Sequence, residues 1–221
     1  MLWDIIDAFE LLKEHDIRTV RSRYVDSEED AIAFASGRPI VLRESVTGRG
    51  GDSWSAAERL EGTHKIRHAY EKIAARNSSA LPRVLAQEWV PEGTDLSIET
   101  RADDPGGPMI RLRLGNHIAQ RLCPPAEPDA EAMVDELHSG HALVRGAHQK
   151  RMLAHLVCKV GALVDKQNLT GLDLNPVRMH ENEYVVLGAT IESARKPRLH
   201  RRLAPDAHDR WGEEYTPSGR Q

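Results

Sequence analysis

The stretch TGLDLNPVRMHENEYVVLGATIES, Thr170 to Ser193, decides how the chain is read. Two short apolar runs flank a polar turn, and the first ends in Asp173, Leu174, Asn175 and Pro176. A carboxylate and an amide two residues apart at a strand end are oxygen donors of the kind a hard cation takes. Asn-Pro is equally a turn initiator between strands. The second run reads Leu187, Gly188 and Ala189, with no side-chain oxygen to complete such a site.

Upstream of this pair, helical and extended patterns alternate. Ile5, Ile6, Phe9, Leu11 and Leu12 recur at helical spacing, which predicts an amphipathic helix over residues 4–15. IRTVRSRYV then reads as extended. Ser27 with Asp30 three residues on is a capping signature for a helix that Gly37 ends. RPIVLRE is mostly apolar and predicts a central strand. A glycine-rich loop, SVTGRGGDSWSA, precedes a helix capped by Thr63 and running to about Asn77. Three or four strands follow in RVLAQEWV, TDLSIETRA, MIRLRLG and HIAQRL, then helices over 128–138 and 149–167. From Lys196 the periodicity stops, and KPRLHRRLAPDAHDRWGEEYTPSGRQ predicts a mobile charged tail over 196–221. The expected architecture is α+β.

Composition narrows the function classes. Over 221 residues, Lys and Arg number 30 against 34 Asp and Glu, a formal net charge of −4. A duplex nucleic-acid binder carries the opposite balance. No apolar run reaches the roughly 18 residues of a membrane span. MLWDIIDAFELLKEHD mixes acids among its apolar residues and lacks the basic leader of a signal peptide. Cys123 and Cys158 have no CxxC spacing, which fits a reducing cytoplasm. His138, His141 and His148 match no zinc spacing and read as a hydrophilic helix–loop edge.

In order, ELLKEHDI, SEEDAIAFA, PIVL, VLAQEWVPEGTDLSIE, DPGGPMIRLRLG, RLCPP and LDLNPV resemble the ATP-grasp domain of nucleoside-diphosphate-forming acyl-CoA synthetases. These are related to the beta subunit of succinyl-CoA synthetase, and the resemblance covers about residues 8 to 193. It implies a two-lobed ATP-grasp fold, with an N-terminal lobe over 1–90 and a C-terminal lobe over 91–195 gripping ATP or ADP with Mg2+. It also implies a separate CoA-binding partner subunit; self-association is left open.

The resemblance assigns positions residue by residue. Arg43 stands where the family has a lysine that reaches the phosphates; a strand-end arginine in solvent is the alternative. Gln87, Glu88, Trp89 and Val90 form the inter-lobe hinge, with backbone around Glu88 and Val90 meeting the adenine. Asp95 stands for a family glutamate facing the nucleotide, and Arg121 matches a family arginine, with a structural salt bridge as its alternative. Asn175 is the implied magnesium ligand, while Gly188 replaces the aspartate that would be the second. Waters and phosphate oxygens would have to fill that gap. TGRGGDSW lacks the family's histidine, and no catalytic residue is assigned. Three function classes follow: the nucleotide-binding subunit of an acyl-CoA synthetase-like system with weakened or lost catalysis, a non-catalytic scaffold of the same fold, or a carboxylate–amine ligase.

Overall fold

A computed structural model describes residues 1–44, 58–76, 84–102, 105–138, 146–180 and 182–194. The glycine-rich loop after Glu44, His141 and the charged tail lie outside the described residues. Helix α1 spans Ile5–Glu14, started by the Asp4 carboxylate, which accepts from the Ile6 N–H at 2.9 Å. Strand β1 spans Ser22–Val25 and helix α2 Glu28–Ala35. The Ser27 hydroxyl caps α2 by accepting from Asp30 N–H at 3.1 Å. Ser36 takes the left-handed conformation at φ 49° that ends α2, one residue before the expected Gly37. Strand β2 is Ile40–Glu44, helix α3 Thr63–Arg76 and strand β3 Val84–Glu88. Gly62, at φ 84°, precedes α3, and its carbonyl accepts from Ile66 N–H, so Thr63 lies inside the first turn rather than capping it.

These strands form a small antiparallel sheet in the order β1-β3-β2. The sequence expectation for β2 is therefore corrected: β3, buried at all five positions, is central, and β2 lies beside it at the end of the order. Only the start of β2 is buried, while Leu42 and Arg43 are half-buried and Glu44 is exposed. Apolar content reports burial of a strand's faces, not the number of its neighbours.

The second sheet contains β4 Thr94–Arg101, β5 Met109–Leu114, β6 His117–Leu122, β7 Leu169–His180, β8 Glu183–Val186 and β9 Ala189–Ser193. Its order is β6-β5-β4-β7-β8, with β9 also paired to β7, and every pairing is antiparallel. Alternation sets its two faces. Leu96, Ile98 and Thr100 of β4, with Ile110, Leu112 and Leu114 of β5, are buried. Their cluster includes Met133 and Leu137 of α4 (Glu127–His138) and Leu156, Val160 and Leu163 of α5 (Ala147–Gln167). The residues between them form the opposite, polar face.

The stretch that opened the sequence reading folds differently from its expectation. Strand β7 runs through Asn175 and Pro176 to His180, and the reversal into β8 comes at His180–Glu183. Leu96 opposes Val177 and Ile98 opposes Leu174, so Ser97 alone faces Asn175 and Pro176. Proline lacks a ladder donor and is tolerated inside a sheet at such a bulge. On the other side of β7 the Leu187–Gly188 link passes here: Asn175 N–H donates to Gly188 O, and Leu187 N–H to Pro176 O, each at 2.9 Å. Proline thus sits where only its carbonyl is used.

Two hydrophobic clusters accompany the sheets. Val25, Ala31, Phe34, Ile40, Ile66 and Val84 belong to the smaller. The larger takes in the helix-covered sheet and also Trp3, Phe9, Leu11, Leu12, Ile17 and Val20. Trp3 Nε1 donates to Ser193 Oγ at 2.9 Å, and Val20 N–H to Val186 O at 3.0 Å. The smaller sheet's strands end at Glu88 and the larger's begin at Thr94, while Trp3 to Val20 pack with the larger sheet. Among the described residues no helix is long and apolar enough to cross a membrane.

Helix α5 comes close to the chain before α4 at Gly161, where a Cβ would meet Pro125 Cδ at 2.6 Å and Pro124 Cα at 3.1 Å. Gly161→Val is expected to destabilise by about 1–3 kcal/mol through overpacking, despite glycine's poor helix propensity. Thermal unfolding followed by circular dichroism checks this; an unchanged or higher midpoint would mean α5 is not seated on Pro124 and Pro125.

Candidate functional site: the cleft at the sheet junction

Strand β3 delivers its last residues to the junction of the two sheets. Gln87 is only 2% exposed, so each of its polar atoms needs a partner. Its Nε2 donates to Ser22 Oγ at 3.1 Å within the small sheet and to Leu187 O at 3.2 Å in the β8–β9 link of the large one. Its Oε1 accepts from Arg43 Nε at 3.0 Å. One amide therefore ties Arg43, β1 and the large sheet together. Glu88 is also buried and lies between two arginines, 3.5 Å from Arg21 Nε and 3.4 Å from Arg38 Nη1.

The backbone beyond β3 is only partly paired. Glu88 N–H donates to Arg21 O at 2.9 Å and Trp89 N–H to Pro39 O at 3.1 Å. Val90 O accepts from Arg178 Nη1 at 3.2 Å. Among the described residues, Glu88 O and Val90 N–H have no hydrogen-bond partner. Val90 is 3% exposed, and a buried bare donor is rare. The Arg59 guanidinium lies over the Trp89 ring, 4.8 Å from its centroid.

Across the junction is the polar face of the large sheet. Arg178 grips Asp95 with two bonds of 2.7 Å, Nε to Oδ1 and Nη2 to Oδ2. That hydrogen-bonded pairing raises the Arg178 pKa against the opposing effect of burial. Arg43, by contrast, is pushed down to about 10, first by burial and then by the Arg178 charge. A base with a lowered folded-state pKa is destabilised in its charged form, so this cost persists below pH 10 and relaxes only above it. At neutral pH Arg43 is cationic, and an incoming anion would favour it.

The predicted residues divide in two. Arg43, Gln87, Glu88, Trp89, Val90 and Asp95 gather at the junction. Asn175 lies on the same polar side at the β7 bulge, with Asp173 two residues earlier opposite Glu99. Arg121 does not join them: it opposes the buried Ile110, on the helix side of the sheet, and its guanidinium bonds Glu136 of α4. The salt-bridge alternative describes it. Sequence reasoning missed Arg178 and the Leu187 carbonyl. Ending the strand at Asn175–Pro176 hid the first, because its register against Asp95 exists only if β7 continues.

Whether these residues suit magnesium follows from their donors. Asn175 offers one amide oxygen, Gly188 offers no side chain, and the Gly188 carbonyl is already taken by Asn175 N–H. Glu99 is held by Arg101 at 2.8–2.9 Å. Among the described residues no group of three His, Cys, Asp or Glu is placed to hold a metal. Among the described residues, Asn175 and Gly188 together give a magnesium ion a single side-chain oxygen, a poor fit for an ion held by protein alone. Burial pushes the Cys123 thiol up to about 11 and Cys158 upward as well, which leaves neither as a ready nucleophile.

A small and a large antiparallel sheet, tied together at the end of β3, make a two-lobed mixed helix-and-sheet fold. The chain belongs to the ATP-grasp domain family, whose model matches residues 4–192. Acetate–CoA ligase (ADP-forming) II of Archaeoglobus fulgidus is 24% identical over 219 residues, covering 90% of this chain and 31% of that protein. Its counterpart I is 26% identical over 185 residues, covering 75% and 27%. The chain thus spans about a third of the length of these curated relatives. Among solved structures, ACD1 of Candidatus Korarchaeum cryptofilum in complex with coenzyme A superposes with TM-score 0.72 at 24% identity, covering 86% of this chain and 92% of that one. PH1788 of Pyrococcus horikoshii gives 0.71 at 20%, covering 86% and 91%.

Gln87→Leu removes the junction bonds while keeping bulk, leaving Leu187 O and Arg43 Nε without their partner. The expected cost is about 1–3 kcal/mol, read as a lower urea midpoint. An unchanged midpoint would mean that the amide does not join the sheets.

Proposed function

We propose that the chain is the nucleotide-binding ATP-grasp part of an ADP-forming acyl-CoA synthetase-like system, with weakened or lost catalysis. The observation that carries this is the pair Glu88 O and Val90 N–H, which have no partner among the described residues. An acceptor and a donor two residues apart complement adenine, whose amino group donates and whose adjacent ring nitrogen accepts. Arg43 faces the phosphates from the small sheet, and Asp95, held by Arg178, lines the opposing wall. The relatives are acetate–CoA ligases, so the substrate class is an acyl group activated through an acyl phosphate. A CoA-binding partner subunit would supply the rest of the reaction, in the cytoplasm.

The scaffold reading keeps the same nucleotide site without turnover. Gly188 in the metal position favours it, because phosphoryl transfer depends on metal charge bridging the phosphates. A carboxylate–amine ligase remains the third reading, since one fold hosts several chemistries.

Calorimetric titration of the purified chain with ATP, ADP and GTP tests the hinge. Adenine nucleotides are expected to bind at least about tenfold tighter than GTP, because guanine presents an acceptor to Glu88 O and a donor to Val90 N–H, and each mismatch costs about 1–3 kcal/mol. No heat with ATP or ADP up to millimolar concentration would sink the nucleotide reading for this chain.

A further inference from the structure

The polar face of the large sheet is arranged in rows by strand register. One row sets Arg111 opposite Glu99 and Glu99 opposite Asp173. Arg101 also binds Glu99 and lies 3.7 Å from Glu192. Another row sets Asp95 against Arg178, joined by two bonds. In both rows the acids stand beside arginines. The row between them differs. It holds Arg113, Ser97 and Asn175, continues into the Leu187–Gly188 link, and contains no carboxylate. Arg113 is exposed and has neither an ion pair nor a hydrogen bond among the described residues.

Arg43 approaches this row from the other sheet. Its partner Gln87 donates to the carbonyl of Leu187, the residue before Gly188. Two strand spacings put the Arg113 backbone about 10 Å from that of Asn175, a span that a phosphate chain and an arginine side chain together cover. We propose that this row is a metal-independent polyanion site, in which Arg43 and Arg113 take the phosphates of a nucleotide directly, without a divalent cation. The proposal rests on the nucleotide reading above and adds how the charge is met. Guanidinium groups suit it, since their planar fork pairs with phosphate through two parallel bonds. The burial that disfavours a charged Arg43 is offset by the same anion. The poor magnesium donor set at Asn175 and Gly188 is then the counterpart of the arginines.

The test is calorimetric titration of the full chain with ATP in EDTA and in excess Mg2+, with tripolyphosphate and adenosine as separate probes. ATP is expected to bind in EDTA at least as tightly as with Mg2+, and tripolyphosphate to compete with it. Arg113→Ser is expected to weaken ATP about tenfold and to flatten the salt dependence, while adenosine binding is unchanged. Arg113 is exposed, so the fold should tolerate the change; if the variant misfolds, the EDTA comparison on the unaltered chain decides. ATP binding that requires Mg2+, or an Arg113→Ser variant with unaltered affinity, overturns the proposal. Adenosine binding without tripolyphosphate binding also overturns it and leaves the hinge reading standing. Tripolyphosphate binding without adenosine binding supports the anion site and removes the adenine.

Discussion

The arrangement of the cleft depends on one buried amide. Gln87 closes a polar junction that two sheets cannot close with backbone alone, because β1-β3-β2 ends where the β8–β9 link begins. Burying an amide with any group unpaired is costly, so its three bonds are jointly required. The constraint runs outward from there. Fixing Gln87 fixes Arg43 on β2 and the Leu187 carbonyl, and through Leu187 N–H it fixes the bulge at Pro176. It also sets the course of the next residues, Glu88 to Val90, of whose backbone groups Glu88 O and Val90 N–H have no partner among the described residues.

The two ends of the cleft are built on different principles. The hinge end is backbone held by a rigid frame: Glu88 N–H and Trp89 N–H are tied to Arg21 and Pro39, and Val90 O to Arg178, so the remaining polar groups have little freedom. Such a site survives side-chain divergence, because no side chain performs the recognition. The phosphate end is made of side chains alone, and there single substitutions alter the chemistry outright. By the family resemblance, Gly188 stands where a carboxylate is expected and Arg43 where an ammonium is.

Much of the fold was legible because it is locally encoded. The helix over residues 5–14, the Ser27 cap and the alternation through β4 and β5 follow from spacing and capping chemistry. The misses are non-local. RPIVLRE has the composition of an inner strand, yet whether a strand has one neighbour or two is decided by β3, some forty residues on. Asn175–Pro176 carries a strong turn signal, and it is overridden by a bulge that needs Ser97 in another strand to exist. That one error cost the site its main missed residue, since Arg178 faces Asp95 only in the register beyond the bulge. Arg121 shows the converse: a motif match gave it a role, while its place opposite Ile110 puts it on the helix side.

Replacing metal charge by arginine has a consequence for what the cleft can do. A divalent ion bridging two phosphates strengthens its hold as charge shifts in the transition state, so part of its effect is catalytic. In the proposed site the guanidinium groups of Arg43 and Arg113 would meet the phosphates where they lie in the ground state. Interactions equally strong in both states tighten binding without raising the rate. A site that met the base with backbone and the phosphates with arginines, as proposed, would therefore be better suited to holding a nucleotide than to transferring its phosphoryl group. On the proposed reading, Gly188 and Arg113 would favour a nucleotide-holding scaffold over turnover, even where nucleotide affinity is retained.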